Sequence, residues 1–360
     1  MYFVLYDKNF NSIGETYNLE SWSRIERSHD FDEMKIVGEK IPSYSEPFLV
    51  VVKDHKGKLK FSGLASTPST DDKLNKTSIM LKDYTTLWNT EILIDWGQLM
   101  ESESDDFILT LEEYLDFILA CWLRQTDIGL KKVEWDTSKL YDIEWDEENL
   151  NVNDKTGIES LFLYDHISKV LSYYNIYCIP ELDLYDETLT FIFYPIDTSS
   201  SISIRLQDFG VPEIEKSFGE FNRVTIYNHV YEQIQTWGIT ENNQVVKLPT
   251  EKNLIYPAKN KNFIAEEPSE ELSENQSLWN AVYEAVMELS LNRYQINIDL
   301  DFQQYSSIIE ASTLNFSRLV SVYTEEGLYR ELPVGEVETN SSGKHIVRLG
   351  YRIQELTQEI

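Results

Sequence analysis

Two triplets of acid, tryptophan and acid are the part of the sequence best suited to chemistry. They are Glu134, Trp135 and Asp136, and Glu144, Trp145 and Asp146. Glycosidases cleave sugars with paired carboxylates, and aromatic rings beside such acids can hold the sugar. However, the chain carries 62 Asp and Glu residues, so neighbours of this kind arise by chance. We therefore expect no catalytic residue here and no enzymatic activity.

The remaining polar residues do not indicate a metal or cofactor site. Four aspartates lack the spacing and the glycine of a calcium-binding loop: Asp183, Asp186, Asp299 and Asp301. No two of the five histidines have metal-ligand spacing: His29, His55, His166, His229 and His345. The chain has no phosphate-binding loop, nucleophile elbow, zinc-protease or dinucleotide-binding motif. We expect no bound metal and no cofactor, and we expect His166 to be a partly exposed helical residue.

The two cysteines and the net charge limit the classes of function. Cys121 and Cys178 lie in apolar stretches and are expected to be buried free thiols of a protein made in a reducing cytosol. The formal net charge is −31, so no basic stripe is available to neutralise phosphates. The sequence therefore argues against stable binding of nucleic acid or of anionic membranes. No apolar run reaches roughly 18 residues, and the N-terminus does not resemble a signal peptide.

Short strands with alternating burial are predicted throughout residues 1–97. About seven of them, joined by turns rich in Gly, Asn, Asp and Pro, favour a barrel or a sandwich. Apolar residues at helical spacing then follow a capping box of Thr110 and Glu113 and continue to Gly129. A second capping box, Thr156 with Glu159, predicts a helix that runs to about residue 174. A strand pair after it completes a small α+β insertion.

Residues 218–230 contain a strand that we predict returns to the N-terminal sheet and closes it. From Asn222 onward, Val224 and Ile226 alternate with polar residues, as in a half-buried strand. Residues 238–275 are mostly polar and are interpreted as an extended connection. A helix and a second β region follow. Residues 57–63 with 77–83 resemble residues 327–334 with 345–351, which indicates an internal repeat.

Four stretches carry a resemblance to a known family. They are Trp22-Ser-Arg-Ile-Glu-Arg with the strand up to Ile41-Pro42, Phe61-Ser-Gly-Leu with Ile79-Met-Leu-Lys-Asp, the N-x-V-x-I-x-N pattern from Asn222 to Asn228, and residues 337–350. Together they resemble the tail hub, or baseplate tail-associated (Tal-like), proteins of phages. Siphophages that infect Gram-positive bacteria have the members closest in size.

The resemblance implies a mainly β fold with α+β insertions, built on two related β-barrels of the phage tail-hub type. The implied domains are a first barrel at residues 1–100, a lateral α+β insertion at 101–202, return strands of the first barrel at 203–237, an extended connection at 238–275, and a second barrel with a helix at 276–360. The implied role is a homotrimeric hub that forms a ring or plug at the distal end of the tail tube, through which DNA passes.

The same resemblance implies the partners and the location. The partners are the distal tail protein and other baseplate or tail proteins, with contact to the host envelope. The location is the virion tail tip, after assembly in the cytoplasm of the host bacterium. Because the chain stops soon after the second barrel, no lytic activity is expected. If DNA passes through the ring, we expect acidic residues of the two barrels to line the bore.

Two alternatives remain at this point. The 22 Tyr and 8 Trp residues also fit an extracellular module that binds carbohydrate or a receptor, although aromatic residues are equally common in barrel cores. An exposed, coplanar set of tryptophans would favour that module. The high negative charge also fits an acidic mimic of DNA, which the β-rich modular layout disfavours.

Overall fold

The chain is mainly β, as the sequence predicts. The computed structural model describes residues 1–13, 17–28, 30–42, 47–98, 110–126, 128–141, 143, 158–210, 212, 214–217, 220–241, 244–269, 273–291, 295–302, 313–325 and 327–350. A helix with the length and apolarity needed to span a membrane is not found among these residues. The domain bounds predicted from the sequence stay predictions.

Six N-terminal strands form a closed ring, called the first unit below. The strands of this region are β1 (Tyr2–Tyr6), β2 (Tyr17–Arg27), β3 (Glu33–Glu39), β4 (Leu49–Lys53), β5 (Leu59–Ala65), β6 (Ser69–Asp71) and β7 (Lys76–Lys82). They pair in the order β1-β4-β5-β7-β3-β2, and β2 pairs again with β1, while β6 pairs with β7. Alternate residues such as Phe3, Leu5, Ile79 and Leu81 point into a core of their own, because successive strand residues face opposite sides.

The next segment adds helices and two small sheets. Its elements are β8 (Glu91–Asp95), α1 (Leu111–Gln125), β9 (Lys132–Asp136), β10 (Ile158–Phe162), α2 (Leu163–Tyr174), β11 (Ile176–Asp183) and β12 (Thr188–Pro195). The two sheets are β10-β8 and β11-β12-β9. The capping box of α1 is confirmed: the Glu113 N–H donates to Thr110 Oγ1 at 3.2 Å, and the Thr110 N–H donates to Glu113 Oε2 at 2.9 Å.

The predicted second capping box is wrong. Glu159 lies in strand β10, and α2 begins four residues later at Leu163, with no side-chain cap on its first turn. Thr156 lies outside the described residues. The reason is tertiary: β10 pairs along its whole length with β8, from Ile158 opposite Asp95 to Phe162 opposite Glu91, and these backbone bonds override a local helix signal.

The C-terminal half contains a second six-stranded sheet, called the second unit below. The elements that follow β12 are β13 (Asp197–Arg205), β14 (Ile214–Ser217), β15 (Arg223–Tyr227), β16 (Gln233–Ile239), β17 (Val245–Lys247), β18 (Asn260–Ile264), α3 (Glu274–Leu291), β19 (Gln295–Asp301), β20 (Arg318–Thr324), β21 (Gly327–Asn340) and β22 (His345–Leu349). Six of these strands pair in the order β13-β20-β21-β22-β19-β14. When β6 is left out and the six strands of each unit are numbered along the chain, both units have the same spatial order, 1-4-5-6-3-2.

The predicted return of residues 221–227 to the N-terminal sheet is wrong. Strand β15 pairs antiparallel with β16 and parallel with β18, in a separate four-stranded sheet β17-β16-β15-β18 that packs on α3. The first unit closes through β1 and β2 without this strand. The alternation of Val224 and Ile226 reflects burial under α3. Likewise, residues 238–275 contain β17 and β18 and are not a plain extended connection.

Within the described part of the chain, the two units are joined into one 13-stranded sheet by one strand pairing, called the seam below. Strand β2 of the first unit pairs antiparallel with β21 of the second, from Ser23 opposite Asn340 to Arg27 opposite Glu336. The predicted α+β insertion reaches residue 202, which falls inside β13.

Candidate functional site

The acids proposed from the first tryptophan triplet do not form a site with Trp135. Glu134 and Asp136 share one face of β9, and Trp135 lies on the other. Glu134 pairs with Lys132, and Asp136 Oδ1 accepts a hydrogen bond from the Ser138 N–H at 3.0 Å. The Trp135 ring donates its N–H to Asp116 Oδ1 at 2.7 Å and packs against the core. Glu144, Trp145 and Asp146 lie outside the described residues.

His166 is buried, which corrects the expectation that it is partly exposed. It lies 8 % exposed between the three helices. The Tyr114 hydroxyl of α1 is 2.6 Å from Nε2, and the Tyr283 hydroxyl of α3 is 3.0 Å from Nδ1. Burial raises the pKa of both tyrosines, so both stay protonated. His166 therefore ties the three helices together through its ring nitrogens.

Metal binding is not indicated by the described residues, which contain no cluster of three or more His, Cys, Asp or Glu side chains suited to an ion. Asp183 instead accepts hydrogen bonds from the backbone of its own turn, at Tyr185 and Asp186. Asp299 pairs with Arg348 at 3.2 Å. His29 lies outside the described residues. Cys121 and Cys178 are free thiols; Cys121 is buried, as predicted, whereas Cys178 is half-buried.

The seam between the units carries a buried ion network that the sequence did not reveal. Glu336 of β21 is 3 % exposed. It pairs with Arg27 of β2 at 3.4 Å and also with Arg348 of β22. Arg348 reaches Glu338 at 2.8 Å as well. Burial lowers the pKa of Arg27, but the charges of Asp30, Glu33 and Glu336 outweigh burial and raise it.

These pairs join strands from both units. Arg27 belongs to the first unit, whereas Glu336, Glu338 and Arg348 belong to the second. Because a buried charge without a partner is costly, the network favours one fixed arrangement of the two units. The alternation of basic and acidic residues along Arg24, Glu26 and Arg27 was the available sequence signal. It could not reveal the partner of Arg27 across the seam, because Glu336 is 309 residues away.

A cleft opens beside this seam, between the first unit and the edge of β11. Its volume is about 470 Å³. Its walls are residues 59–62 of β5 and residues 177–182 of β11, and Phe316 closes one side. Its floor carries the side chains of Arg24, Glu26, Arg27, Asp32 and Asp83. This space is called the β5–β11 cleft below.

Two neighbouring aspartates, Asp32 and Asp83, line the β5–β11 cleft. Asp83 caps the 3-10 helix Tyr84–Trp88, and its Oδ1 accepts from the Thr85 N–H at 3.0 Å. Its Oδ2 accepts from the Asp32 N–H at 2.9 Å. Asp32 Oδ1 accepts from the Arg27 N–H at 2.8 Å. Burial raises the pKa of Asp83 to about 6, and burial together with the Asp83 charge raises that of Asp32.

The pattern of Asp83 followed by Thr85 was a sequence signal for this cap, because an aspartate often accepts from the backbone two residues on. The proximity of Asp32 and Asp83 had no such signal, since it arises from the pairing of β3 with β7.

Of the tryptophans whose exposure the structure describes, Trp88, Trp96, Trp122 and Trp237 are buried at 2 % or less, and Trp22 and Trp135 are half-buried. These rings serve the cores. They do not form an exposed, coplanar platform of the kind that a sugar-binding module uses.

Comparison with known proteins gives structural likenesses alone. No protein-family model matches the sequence. No curated protein matches it either. A tail protein from Neisseria meningitidis MC58 is similar over 97% of this chain and 95% of its own, at 13% identity and a TM-score of 0.49. The 43 kDa tail protein of prophage MuSo2 from Shewanella oneidensis is similar over 98% of both chains, at 14% identity and a TM-score of 0.48.

The prophage tail protein gp18 from Listeria monocytogenes EGD-e is similar over 98% of this chain and 95% of its own, at 11% identity and a TM-score of 0.48. All three are described as tail proteins, and the latter two as prophage proteins. With TM-scores of 0.49 or less, these likenesses say nothing about what this chain does.

Proposed function

We propose that the protein is a structural component of a phage tail, and more specifically a homotrimeric hub at the distal end of the tail tube. The observation that carries the proposal is the doubled six-stranded unit. The same strand order occurs twice in one chain, and the two copies are joined edge to edge through β2 and β21. The sequence resemblance to Tal-like hub proteins agrees with this architecture.

The doubled unit lets a trimer match a partner that has sixfold symmetry. Three copies of a chain with two similar units place six similar units around one axis, which matches a sixfold tube. A closed ring of three also leaves no open contact surface, so assembly stops at the ring. The buried network of Arg27, Glu336 and Arg348 supports this role, because it holds the two units of one chain in a fixed relation.

The charge of the chain supports a passage for DNA. With a net charge of −31, the protein repels phosphates at close range, and the Debye length at physiological salt is about 8 Å. DNA therefore passes without being held. The proposed partners are the distal tail protein and other baseplate proteins of a siphophage that infects Gram-positive bacteria, and the proposed location is the tail tip.

The mass of the purified protein tests the proposal. We expect a species of three chains by light scattering, either alone or with the distal tail protein. A chain that stays monomeric at high concentration and with that partner contradicts the hub.

The proposed role is not enzymatic. Incubation with cell-wall polysaccharide, peptidoglycan or nucleic acid is expected to give no turnover above background. Hydrolysis that disappears in Glu134→Gln would contradict this part of the proposal.

A further inference from the structure

Four tight turns of the chain share one hydrogen-bonding pattern. In each, the side-chain Oδ1 of an Asp or Asn at the first position accepts from the backbone N–H groups of the third and fifth residues, and backbone bonds join the first residue to the fourth and fifth. The turns are residues 7–11, 54–58, 228–232 and 340–344, and these bonds are between 2.8 and 3.3 Å long. The fourth residue of each turn has a left-handed backbone, with φ of 60° at Phe10, 81° at Gly57, 62° at Tyr231 and 88° at Gly343.

The residue at this left-handed position differs among the turns. Gly57 and Gly343 adopt the conformation without steric conflict, whereas a bulky side chain makes it strained. Phe10 accepts the strain and packs its ring against the core. Tyr231 is 72 % exposed, so burial within this chain does not offset its strained backbone. A bulky residue that is both strained and exposed indicates a contact with another molecule.

The turn at residues 228–232 holds two apolar side chains in one arrangement. Val230, which precedes Tyr231, is 59 % exposed. Asn228 Oδ1 accepts from the Val230 N–H at 3.0 Å, and the Tyr231 N–H donates to the Asn228 carbonyl oxygen at 2.8 Å. Because these bonds fix the backbone beforehand, little conformational freedom is lost when the side chains are buried by a partner. A fixed, exposed tyrosine is the kind of residue that anchors a protein contact in an apolar recess.

The charge of this region indicates which protein is the partner. Residues 223–264, which contain the β17-β16-β15-β18 sheet, include five Lys or Arg and three Asp or Glu, a net charge of +2. Since the whole chain carries −31, the rest of it carries −33. Two copies of such a chain repel each other over most of their surface. The sheet that ends in this turn can approach the acidic surface of a second copy with attraction instead.

We propose that the turn at residues 228–232 is a contact between copies of this chain, at which Tyr231 and Val230 of one copy insert into an apolar recess of the next. A head-to-tail contact of this kind joins two different surfaces, as a closed ring of three chains requires. The inference rests on the proposed homotrimer and names residues that hold it together.

Sedimentation equilibrium of the full chain tests the proposal, with the protein alone and together with the distal tail protein. Tyr231→Gly removes the ring and keeps a residue suited to the left-handed backbone. It is expected to raise the dissociation constant of the trimer at least about tenfold, because a buried tyrosine at a protein contact contributes that much or more. Tyr231→Phe keeps the ring and is expected to stay within about threefold of the wild type.

Two control variants separate a contact from an effect on the fold. At dilutions at which the proteins are monomeric, Tyr231→Gly is expected to have a denaturation midpoint at or above that of the wild type, since the strain is relieved. Phe10→Gly, at the equivalent position of another turn, is expected to lower the midpoint, since it removes a ring from the core. Tyr185→Gly changes a tyrosine that is 92 % exposed at the β11–β12 turn, and it is expected to leave trimer association within about twofold.

The outcomes distinguish failure of this contact from failure of the hub. A wild type that stays monomeric, alone and with the distal tail protein, contradicts both. A wild type that forms trimers while Tyr231→Gly associates within about twofold of it overturns the contact alone. Equal weakening in Tyr185→Gly, or a lowered denaturation midpoint in Tyr231→Gly, also overturns it. Loss of binding to the distal tail protein with the trimer intact would assign the turn to that partner and overturn the contact between copies.

Discussion

The two units share one strand order but differ in how they close. In the first unit, β1 pairs with β2, at Tyr2 opposite Asn18 and Phe3 opposite Tyr17, so the ring is complete. In the second, β13 runs parallel to β20, whereas its counterpart β1 runs antiparallel to β4. Among the described residues, β13 and β14 are not paired with each other. The two units therefore have the same order of paired strands, but the first strand runs antiparallel to its neighbour in the first unit and parallel to it in the second.

The core of each unit reflects this difference. The first unit has a core cluster of its own, which includes Phe3, Ile36 and Leu81. Core residues of the second unit, such as Val320 and Leu349, belong to the large cluster that also includes the helices and the small sheets. A closed ring buries its own interior, and an open sheet depends on other elements to cover it.

A pair of glycines marks equivalent places in the two units. A Cβ on Gly63 of β5 would lie 2.4 Å from the carbonyl oxygen of Lys82, at the end of β7. A Cβ on Gly335 of β21 would lie 2.3 Å from that of Gly350, just after β22. In both units the same two strands approach so closely that only glycine fits without a backbone shift. This supports the internal repeat, which the sequence indicated from the hairpins around these positions.

The largest expected effect comes from breaking the seam between the units. Glu336→Leu removes the buried carboxylate that Arg27 and Arg348 share and leaves them the more exposed partners Glu33 and Glu338, so the free energy of unfolding is expected to fall by about 3 kcal/mol in denaturant titrations. Glu325→Leu, at an exposed loop position, is the control and is expected to change stability by less than about 0.5 kcal/mol.

A triple variant sharpens this test. Arg27→Met, Glu336→Leu and Arg348→Met together remove all three charges, and most of the lost stability is expected to return, because apolar groups of similar size can replace a buried ion network. A loss below about 1 kcal/mol in Glu336→Leu would show that the seam does not depend on the network.

The second effect is a pH dependence of stability that comes from Asp83, a buried acid of the first unit without a counterpart in the second. Asp83 follows β7, and Gly350 takes the corresponding place after β22. The pKa of Asp83 is raised to about 6 by burial, from 3.8. Its contribution to stability is therefore fully present below about pH 4 and is lost as the pH rises through about 6.

Denaturation of the wild type and of Asp83→Asn between pH 4.5 and pH 7.5 measures this effect. Relative to the variant, the wild type is expected to lose about 2 kcal/mol across this range. Groups remote from Asp83 cancel in this comparison, whereas Asp32, whose pKa is raised by burial and by the Asp83 charge, contributes together with Asp83. A constant difference between the two proteins would mean that Asp83 titrates at its ordinary pKa.

The third effect compares the equivalent glycines directly. Gly63→Ala and Gly335→Ala are each expected to lower the free energy of unfolding, measured by thermal denaturation, by about 2 kcal/mol. The reason is that the added Cβ meets backbone that cannot move away freely. In Gly97→Ala, the nearest atom is the Asp95 side-chain oxygen at 3.3 Å, which can rotate, and the expected loss is below about 1 kcal/mol. Strongly unequal losses at Gly63 and Gly335 would break the equivalence of the two units.

The smallest effect lies outside both units. Thr110→Ala removes the capping box of α1 and is expected to cost about 1 kcal/mol. Since the helix packs in the large cluster, hydrogen exchange is expected to rise in α1 and not in the first unit. Thr110→Ser keeps the hydroxyl and is expected to behave as the wild type.

Local features of this fold could be predicted from the sequence, and pairings between distant strands could not. The capping box at Thr110 and the alternation around Ile79 and Leu81 depend on neighbours in the chain, and both are confirmed. The return of residues 221–227 was wrong because alternation shows that a strand has one buried face but not which sheet it joins. The network at Glu336 and the burial of His166 arise from contacts over more than a hundred residues.

Negative-stain electron microscopy tests most directly whether the protein forms a ring of three chains. The purified protein is imaged alone and with the distal tail protein. The two-unit architecture predicts a closed ring of three chains, seen end-on as six similar lobes around a central opening. Single particles with two lobes at every concentration and with the partner present, or rings with a number of lobes other than six, would contradict it.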